Sequence, residues 1–543
     1  MNTVQASSPR WGSRVEFGTV AGHPGKMYAD RPHSLAELLV DSQRWVGREF
    51  IVQGDRRLTV EAHAAAVARV AALLRAHGVR PGGKVMVLGY NSVEWLVAFW
   101  AVQCCGATAV LGNAWWSDAE TQAAIDLVAP SMILTDRGAD RPIASTAPRL
   151  HFGELREAVD SAVVNGDVDE DLQVAPVDEE SPAIVIFSSG TTGQAKGVVM
   201  SHRAVIANIQ NLLLLTGRLP SDLPPSHPGT VSLVSMPLFH LAGIQIGFMT
   251  MLSGGKLVFL GGRFDPLEVL RLIEQEKVRA WGSVPTMVSR VVQHEGFAQF
   301  ETASVSSVQM GGAAIPHELR TQVQKAFPNT RRRVGSMYGL TEAGGVIAAG
   351  SGSDIEGRPG CVGKPLSSVE IRIHNADAQG VGEIAARAPT TTSGYLGDDT
   401  PITDKDGWVL SGDLGRIDGE GYLYIVGRSK DTIIRGGENI ASVHVEECLR
   451  THPQVLEAAV VPLPHADLGE EVGAAVVLRP DAQVTQEQLR AHAASHLAKF
   501  EVPSRWWLRQ EPLPTNASGK VIKREVIANW PAASVAAQEG ALQ

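Results

Sequence analysis

Residues 183–187, AIVIF, form an unbroken apolar and β-branched run that passes directly into SSGTTGQAKG at 188–197. Five such residues in succession predict a strand covered on both faces. The segment it feeds is built to meet an anion. Gly190, Gly193 and Gly197 let backbone N–H groups turn toward one, Ser188, Ser189, Thr191 and Thr192 add hydroxyl donors, and Lys196 adds charge. A flexible Gly/Ser linker has no reason to follow a buried strand in this way. The lysine-containing loop of the common nucleoside triphosphatases needs glycine before the lysine and a hydroxyl residue after it. Here Ala195 precedes Lys196 and Gly197 follows, so this is a nucleotide loop of a different kind.

The rest of the chain frames that loop. At 543 residues it exceeds one ordinary core, and two or more domains are expected. Residues 59–78 place Ala, Val and Leu at helical spacing and stop at a glycine. The short apolar runs 85–89, 107–112, 132–136 and 257–261 alternate with helical stretches such as 94–105, which predicts α/β layering. After 421–428, residues from 430 to about 527 carry a helix (443–451), two strands (457–462 and 471–478) and a second helix (485–498). The expected division is a large domain of several subdomains at 1–429 and a small α/β domain at 430–543.

A net charge of −10 argues against a general nucleic-acid or membrane-surface binder, so anionic ligands must be met locally. Cys104, Cys105, Cys361 and Cys448 show no metal-ligand spacing, and no run reaches the roughly 18 apolar residues of a membrane span. With no signal-peptide core before Arg14, a cytoplasmic protein is expected.

FSSGTTGQAKGV at 187–198 resembles the phosphate-loop signature of the adenylate-forming superfamily: acyl-CoA synthetases, peptide-synthetase adenylation domains and beetle luciferases. The family usually has proline where Ala195 stands. Its other signatures follow in order over residues 55 to 527. MPLFHLAG at 236–243 is similar to the segment beside the acyl pocket, which places His240 near the carboxylate. GGAAIP at 311–316 is similar to the loop against the adenine, with Gly312, Ala313 and Ala314. MYGLTEAGG at 337–345 resembles the second nucleotide motif. There Tyr338 stacks on the base beside Gly339, Thr341 meets phosphate and Glu342 holds Mg²⁺, as aromatic, hydroxyl and hard-oxygen groups suit. In SGDLG at 411–415, Asp413 would take the ribose hydroxyls. GRSKDTIIRGGENI at 427–440 resembles the hinge motif, with Arg428 near ribose and phosphate and Lys430 as pivot. PTNASGK at 514–520 resembles a mobile loop carrying the catalytic lysine, Lys520.

The resemblance implies an ATP- and Mg²⁺-dependent acyl-CoA synthetase. The acid is adenylated with loss of pyrophosphate and then passed to coenzyme A. Lys520, His240, Thr192 and Glu342 are the expected catalytic groups. Rotation about Lys430 would then bring Gly436 and Gly437 beside the pantetheine passage, with Arg435, Lys523 and Arg524 as cations for CoA. A stand-alone enzyme loading a carrier protein is the alternative, a luciferase-like oxidation has no feature in its favour, and a non-catalytic scaffold would be expected to have lost Lys520 or Glu342. The acyl pocket is expected at His240, Leu241, Ala242, Ile244, Val284, Met287, Gly311, Gly312 and Gly344. This is an apolar set with room for a bulky or long acid and no charge for an amino group. Past the hinge, Ser442 and His444 stand where the family commonly has proline and glutamate.

Overall fold

A computed structural model describes residues 11–138, 141, 143–165, 172–188, 196–313, 315–330, 333–516 and 519–531. Ser189, Gly190, Thr191, Thr192, Gly193 and Ala314 lie outside the described residues.

The alternation read from the sequence folds into two large layered sheets. In the first, the strands Arg149–His151, Met132–Thr135, Lys84–Leu88, Thr108–Gly112 and Pro182–Ser188 run parallel, and Lys196–Ser201 and Gly394–Tyr395 add antiparallel to one edge. The second has 13 strands in the described residues. Its parallel centre contains Val231–Val234, Ala280–Ser283, Ser307–Gly311 and Val334–Leu340, and an antiparallel arm runs through Val409–Ile417 and Leu423–Arg428. Helices seal the sheets: Val93–Cys104 is buried along its whole length between them, as its apolar sequence requires.

Local signals account for the boundaries. The helix predicted at 59–78 spans Val60–Ala76. The Thr59 side chain accepts from the Ala62 N–H at its start, and Gly78 follows its end at φ +92°, a conformation that favours glycine. Cys104 and Cys105 are buried and unpaired, and burial pushes the Cys104 thiol up to about 12.

Beyond residue 431 a five-stranded sheet has its own core, in which Ile433, Val445, Leu449, Val460, Val476 and Leu489 are buried. Each such side chain contributes about 1.5–3 kcal/mol of transfer free energy. Three strands there, Thr432–Arg435, Glu438–Ala441 and Arg505–Arg509, lie in stretches not read as strands, because charges and glycines interrupt their apolar pattern. The helix expected to reach residue 498 ends at Ala494. Cys448 stands with His492 and His496, their potential ligand atoms within 4.8 Å of one another. His492 Nε2 is engaged by the Cys448 carbonyl and the Thr451 hydroxyl, and His496 Nδ1 lies against the His492 carbonyl.

Candidate active site

The two ends of the glycine-rich loop are cross-strand neighbours. Ser188 pairs with Lys196 where Pro182–Ser188 meets Lys196–Ser201 antiparallel. The strands on either side of the loop are thus antiparallel neighbours, whereas the common phosphate loop leads into a helix. Lys196 sits at the start of the return strand, with Nζ 4.6 Å from the centre of the Tyr395 ring. That placement directs its charge into a cleft of about 2600 Å³, lined by Ser188, Lys196, His240, Tyr338, Asp413 and Lys520 among others.

Lys520 reaches this cleft from the C-terminal lobe. Its turn is closed: Asn516 N–H donates to the Lys520 carbonyl, and the Asn516 carboxamide oxygen accepts from Lys520 N–H at 3.0 Å. In the PTNASGK segment, expected as a mobile loop ending in lysine, Asn516 and Lys520 are thus joined by an Asx-type closure. The hydroxyl of Thr286 donates to the carbonyl of Gly519 at 3.0 Å, which fastens the turn to the large domain. Arg479 on Gln293 and Arg290 on Glu457 join the same two lobes. Burial, and next the positive Arg428, hold the Lys520 ammonium below the ordinary lysine range, opposed by Asp413 and Glu342. Burial and then Lys520 push His240 down to about 4, so its imidazole is neutral near pH 7. His240 Nε2 is buried with no hydrogen-bond partner among the described residues, which marks a polar atom awaiting a ligand.

Asp413 accepts from the Tyr338 hydroxyl at 2.7 Å and from Arg428 Nε at 2.9 Å, one donor on each carboxylate oxygen. A carboxylate has about four acceptor positions, so two remain for a diol. Tyr338 is thereby anchored at its hydroxyl, leaving its ring as a flat wall of the cleft. Gly339 permits close backbone approach, because a β-carbon there would stand 1.9 Å from the Gly345 carbonyl oxygen. Glu342 accepts from the Tyr395 hydroxyl at 3.1 Å, and among the described residues its other oxygen has no hydrogen-bond donor; Thr341 and Ala313 line the cleft nearby. Tyr395 is pushed up to about 12 by burial and by Glu342, which keeps it a donor. A carboxylate with open lone pairs beside donors for polyphosphate fits Mg²⁺, a hard cation that takes one or two carboxylates and substrate oxygens.

The acyl-pocket residues are sorted by the fold. Leu241, Ala242, Val284, Gly311 and Gly312 line the cleft. Ile244 turns instead into the core, and Gln245 and Ile246 take its place on the wall. Met287 packs behind Val284. Gly344 faces the Thr390 carbonyl, which a β-carbon would overlap at 1.6 Å, and Gly345 is the glycine on the cleft. Gly436 and Gly437 are exposed at positive φ on a turn outside the cleft, and Lys430 is exposed at its border. Lys523 is held by Glu446 at 2.8 Å, Asp431 and Ser442, so it is not a free cation for CoA. Arg435 donates to the Phe500 carbonyl, while Arg524 is exposed on the cleft rim. His444 pairs with Glu501. Sequence reasoning missed Tyr395 and Thr286; only the pairing Val198↔Tyr395 and the docking of Gly519 bring them to the site.

Against this geometry, the sequence profile of the family described as AMP-binding enzyme matches residues 40–396, and that of its C-terminal domain matches 444–520. The chain belongs to the AMP-binding enzyme family. Within the family it is 33% identical over 485 residues to a feruloyl-CoA synthase of Amycolatopsis sp, covering 87% of this chain and 94% of that one. The o-succinylbenzoate CoA synthetase of Bacillus subtilis, solved with its acyl-adenylate, superposes with a TM-score of 0.77 at 26% identity, over 90% of this chain and 97% of the other. The same synthetase solved with ATP and magnesium ion gives a TM-score of 0.76. No helix in the described residues is long and apolar enough to cross a membrane.

Proposed function

We propose that the observation carrying the function is Lys520, a cation from the small lobe buried against Gly312 and near His240, in the cleft that Ser188 and Lys196 also line. The chain is an AMP-forming acid–CoA ligase that uses ATP, Mg²⁺ and CoA. A carboxylate cannot expel oxide, whereas its mixed anhydride with AMP has a good leaving group. Attack of the acid on the α-phosphorus builds charge on phosphate oxygens, and Lys520, Lys196 and Arg428 stabilise that charge from fixed positions. His240, held neutral, offers Nε2 to the acid without adding a competing charge. Asp413 orients the ribose. Mg²⁺ held at Glu342 neutralises phosphate charge when bound.

The second step needs a thiol where Lys520 now stands. We infer rotation of the lobe about Lys430, which would exchange the Lys520 turn for the Gly436–Gly437 turn. In this reading residues 1–429 and 430–543 move as the two bodies, and Ser189, Gly190, Thr191, Thr192, Gly193 and Ala314 contact the nucleotide. Leu241, Ile246 and Val284 support an acid with a bulky or long apolar body. Four unpaired cysteines suit a cytoplasmic location.

Purified protein with Mg-ATP and short-chain, long-chain, aryl and polycyclic acids, with and without CoA, tests the reading by pyrophosphate release and product mass. Acyl-CoA from one acid class is the expected result. Acyl-adenylate without acyl-CoA would instead favour loading of a carrier protein.

A further inference from the structure

The parallel strands that carry the site have a second, differently charged end. Gly311, Gly312, Ser283 and Tyr338 lie at or just past the C-terminal halves of Ala280–Ser283, Ser307–Gly311 and Val334–Leu340. Arg279 and Arg333 immediately precede two of those strands, and Arg218 follows the helix His202–Leu215. Arg218 and Arg333 line the same cleft as Lys520. Burial, and then the fields of Arg333 and Arg279, act on the partly buried Arg218, and among the described residues no carboxylate is one of its electrostatic neighbours. Among the described residues none of the three guanidiniums has a side-chain hydrogen bond or ion pair.

The surface between the two ends lines the same cleft. Successive strand residues alternate faces, so Trp281, Val308 and Met310 enter the core while Gly282, Ser307 and Gln309 face the cleft. Ile246 of the helix above lies 3.0 Å from where a β-carbon on Gly282 would stand, so its side chain rests on Gly282 and narrows the cleft there. Gln309 lies across Gly335, whose missing side chain makes room for it. The lining therefore changes from glycine beside Lys520 to Ser307 and Gln309 near the arginines. Five residues separate Ser307 from Gly312, which is roughly 16 Å of strand.

Three like charges in one place repel, and in a chain of net charge −10 carboxylates for pairing are abundant. Arg218 and Arg333 on the cleft, with Arg279 beside them, suit an anion, because guanidinium groups match the two oxygens of a carboxylate. We propose that the acid activated at Lys520 carries a second anionic group, a carboxylate, at its far end, and that Arg218, with Arg333 and Arg279, receives it. This rests on the adenylation reading and names the substrate class for it: acids with an apolar body and a charge at both ends. Arg218 is then a specificity-determining residue remote from the chemistry.

The test compares straight-chain dicarboxylic acids of about eight to fourteen carbons with monocarboxylic acids of equal length, measuring kcat and KM by pyrophosphate release. The wild-type enzyme is expected to favour the diacid by at least tenfold in kcat/KM at one length, mainly through KM. R218L is expected to collapse that ratio and R218K to restore part of it, while a charge-reversing R333E lowers the ratio without requiring any change at Arg218. Equal kcat/KM for diacid and monoacid, or a preference that survives both R218L and R333E, overturns the proposal and leaves adenylation standing. Silence with every acid of both series, and with the wider panel above, overturns the adenylation reading and this inference with it.

Discussion

Lys520 and Gly312 touch across the junction of the two lobes: a β-carbon on Gly312 would lie 3.1 Å from Lys520 Cε, in a residue whose φ is +78°. Any side chain at 312 would both strain the backbone, by about 1–2 kcal/mol, and press on the lysine stem. Gly312→Ala is therefore expected to slow adenylation by one to two orders of magnitude while leaving thioester formation from supplied acyl-adenylate nearly intact. Single-turnover rates for the two half-reactions check this, and equal losses in both would contradict it.

Asp413 is the point where the large sheet grips Tyr338 and Arg428. Tyr338→Phe removes one neutral-to-charged hydrogen bond, worth about 1.5–3 kcal/mol, but leaves the ring. A rise in KM for ATP with little change in kcat is expected. Asp413→Asn should cost more, because Arg428 loses its charge partner and the amide supplies only one acceptor oxygen. Nucleotide binding by calorimetry separates the two variants.

Glu342 is positioned by the Tyr395 hydroxyl. Glu342→Gln keeps the shape and removes the charge that suits a hard cation. The Mg²⁺ concentration for half-maximal pyrophosphate release is expected to rise at least tenfold, with the KM for the acid unchanged. Tyr395→Phe should move the same quantity less.

Burial pushes His63 down to about 3, and His202 and His240 to about 4. In the unfolded chain these groups titrate near 6.5, so between about pH 6.5 and pH 4 the unfolded state binds more protons. The contribution of each is fully present above pH 6.5. It is lost as pH falls through that window, at about 1.4 kcal/mol per pH unit for each histidine. Urea unfolding at pH 7 and pH 5 should show this loss, and His63→Gln should reduce its slope by one proton. An unchanged slope in that variant would place the protons elsewhere.

The chemistry-bearing stations were readable in the sequence because each joins a residue type to a local pattern: a buried strand into glycines and hydroxyls, or an aspartate between glycines. Phase was harder to read. The helix Leu241–Leu252 is apolar on nearly every face, so its periodicity does not tell which residue meets the cleft, and Gln245 and Ile246 line it where Ile244 was expected. The glycine pair 344–345 is similarly ambiguous until the Thr390 carbonyl fixes which one has no room. Tyr395 lies 53 residues from Glu342, and only the strand pairing brings them together. Lys523 looks like a free cation in the sequence, but three partners from the preceding segment hold it.

The central claim is that Lys520 in its buried position serves adenylation and is released for the thiol step. Lys520→Ala, assayed separately for adenylate formation from acid and ATP and for acyl-CoA formation from supplied acyl-adenylate and CoA, tests it most directly. Adenylation is expected to fall by at least two orders of magnitude, with thioester formation within a few-fold of wild type. Adenylation that persists in the variant, or a loss shared equally by both steps, would contradict the account.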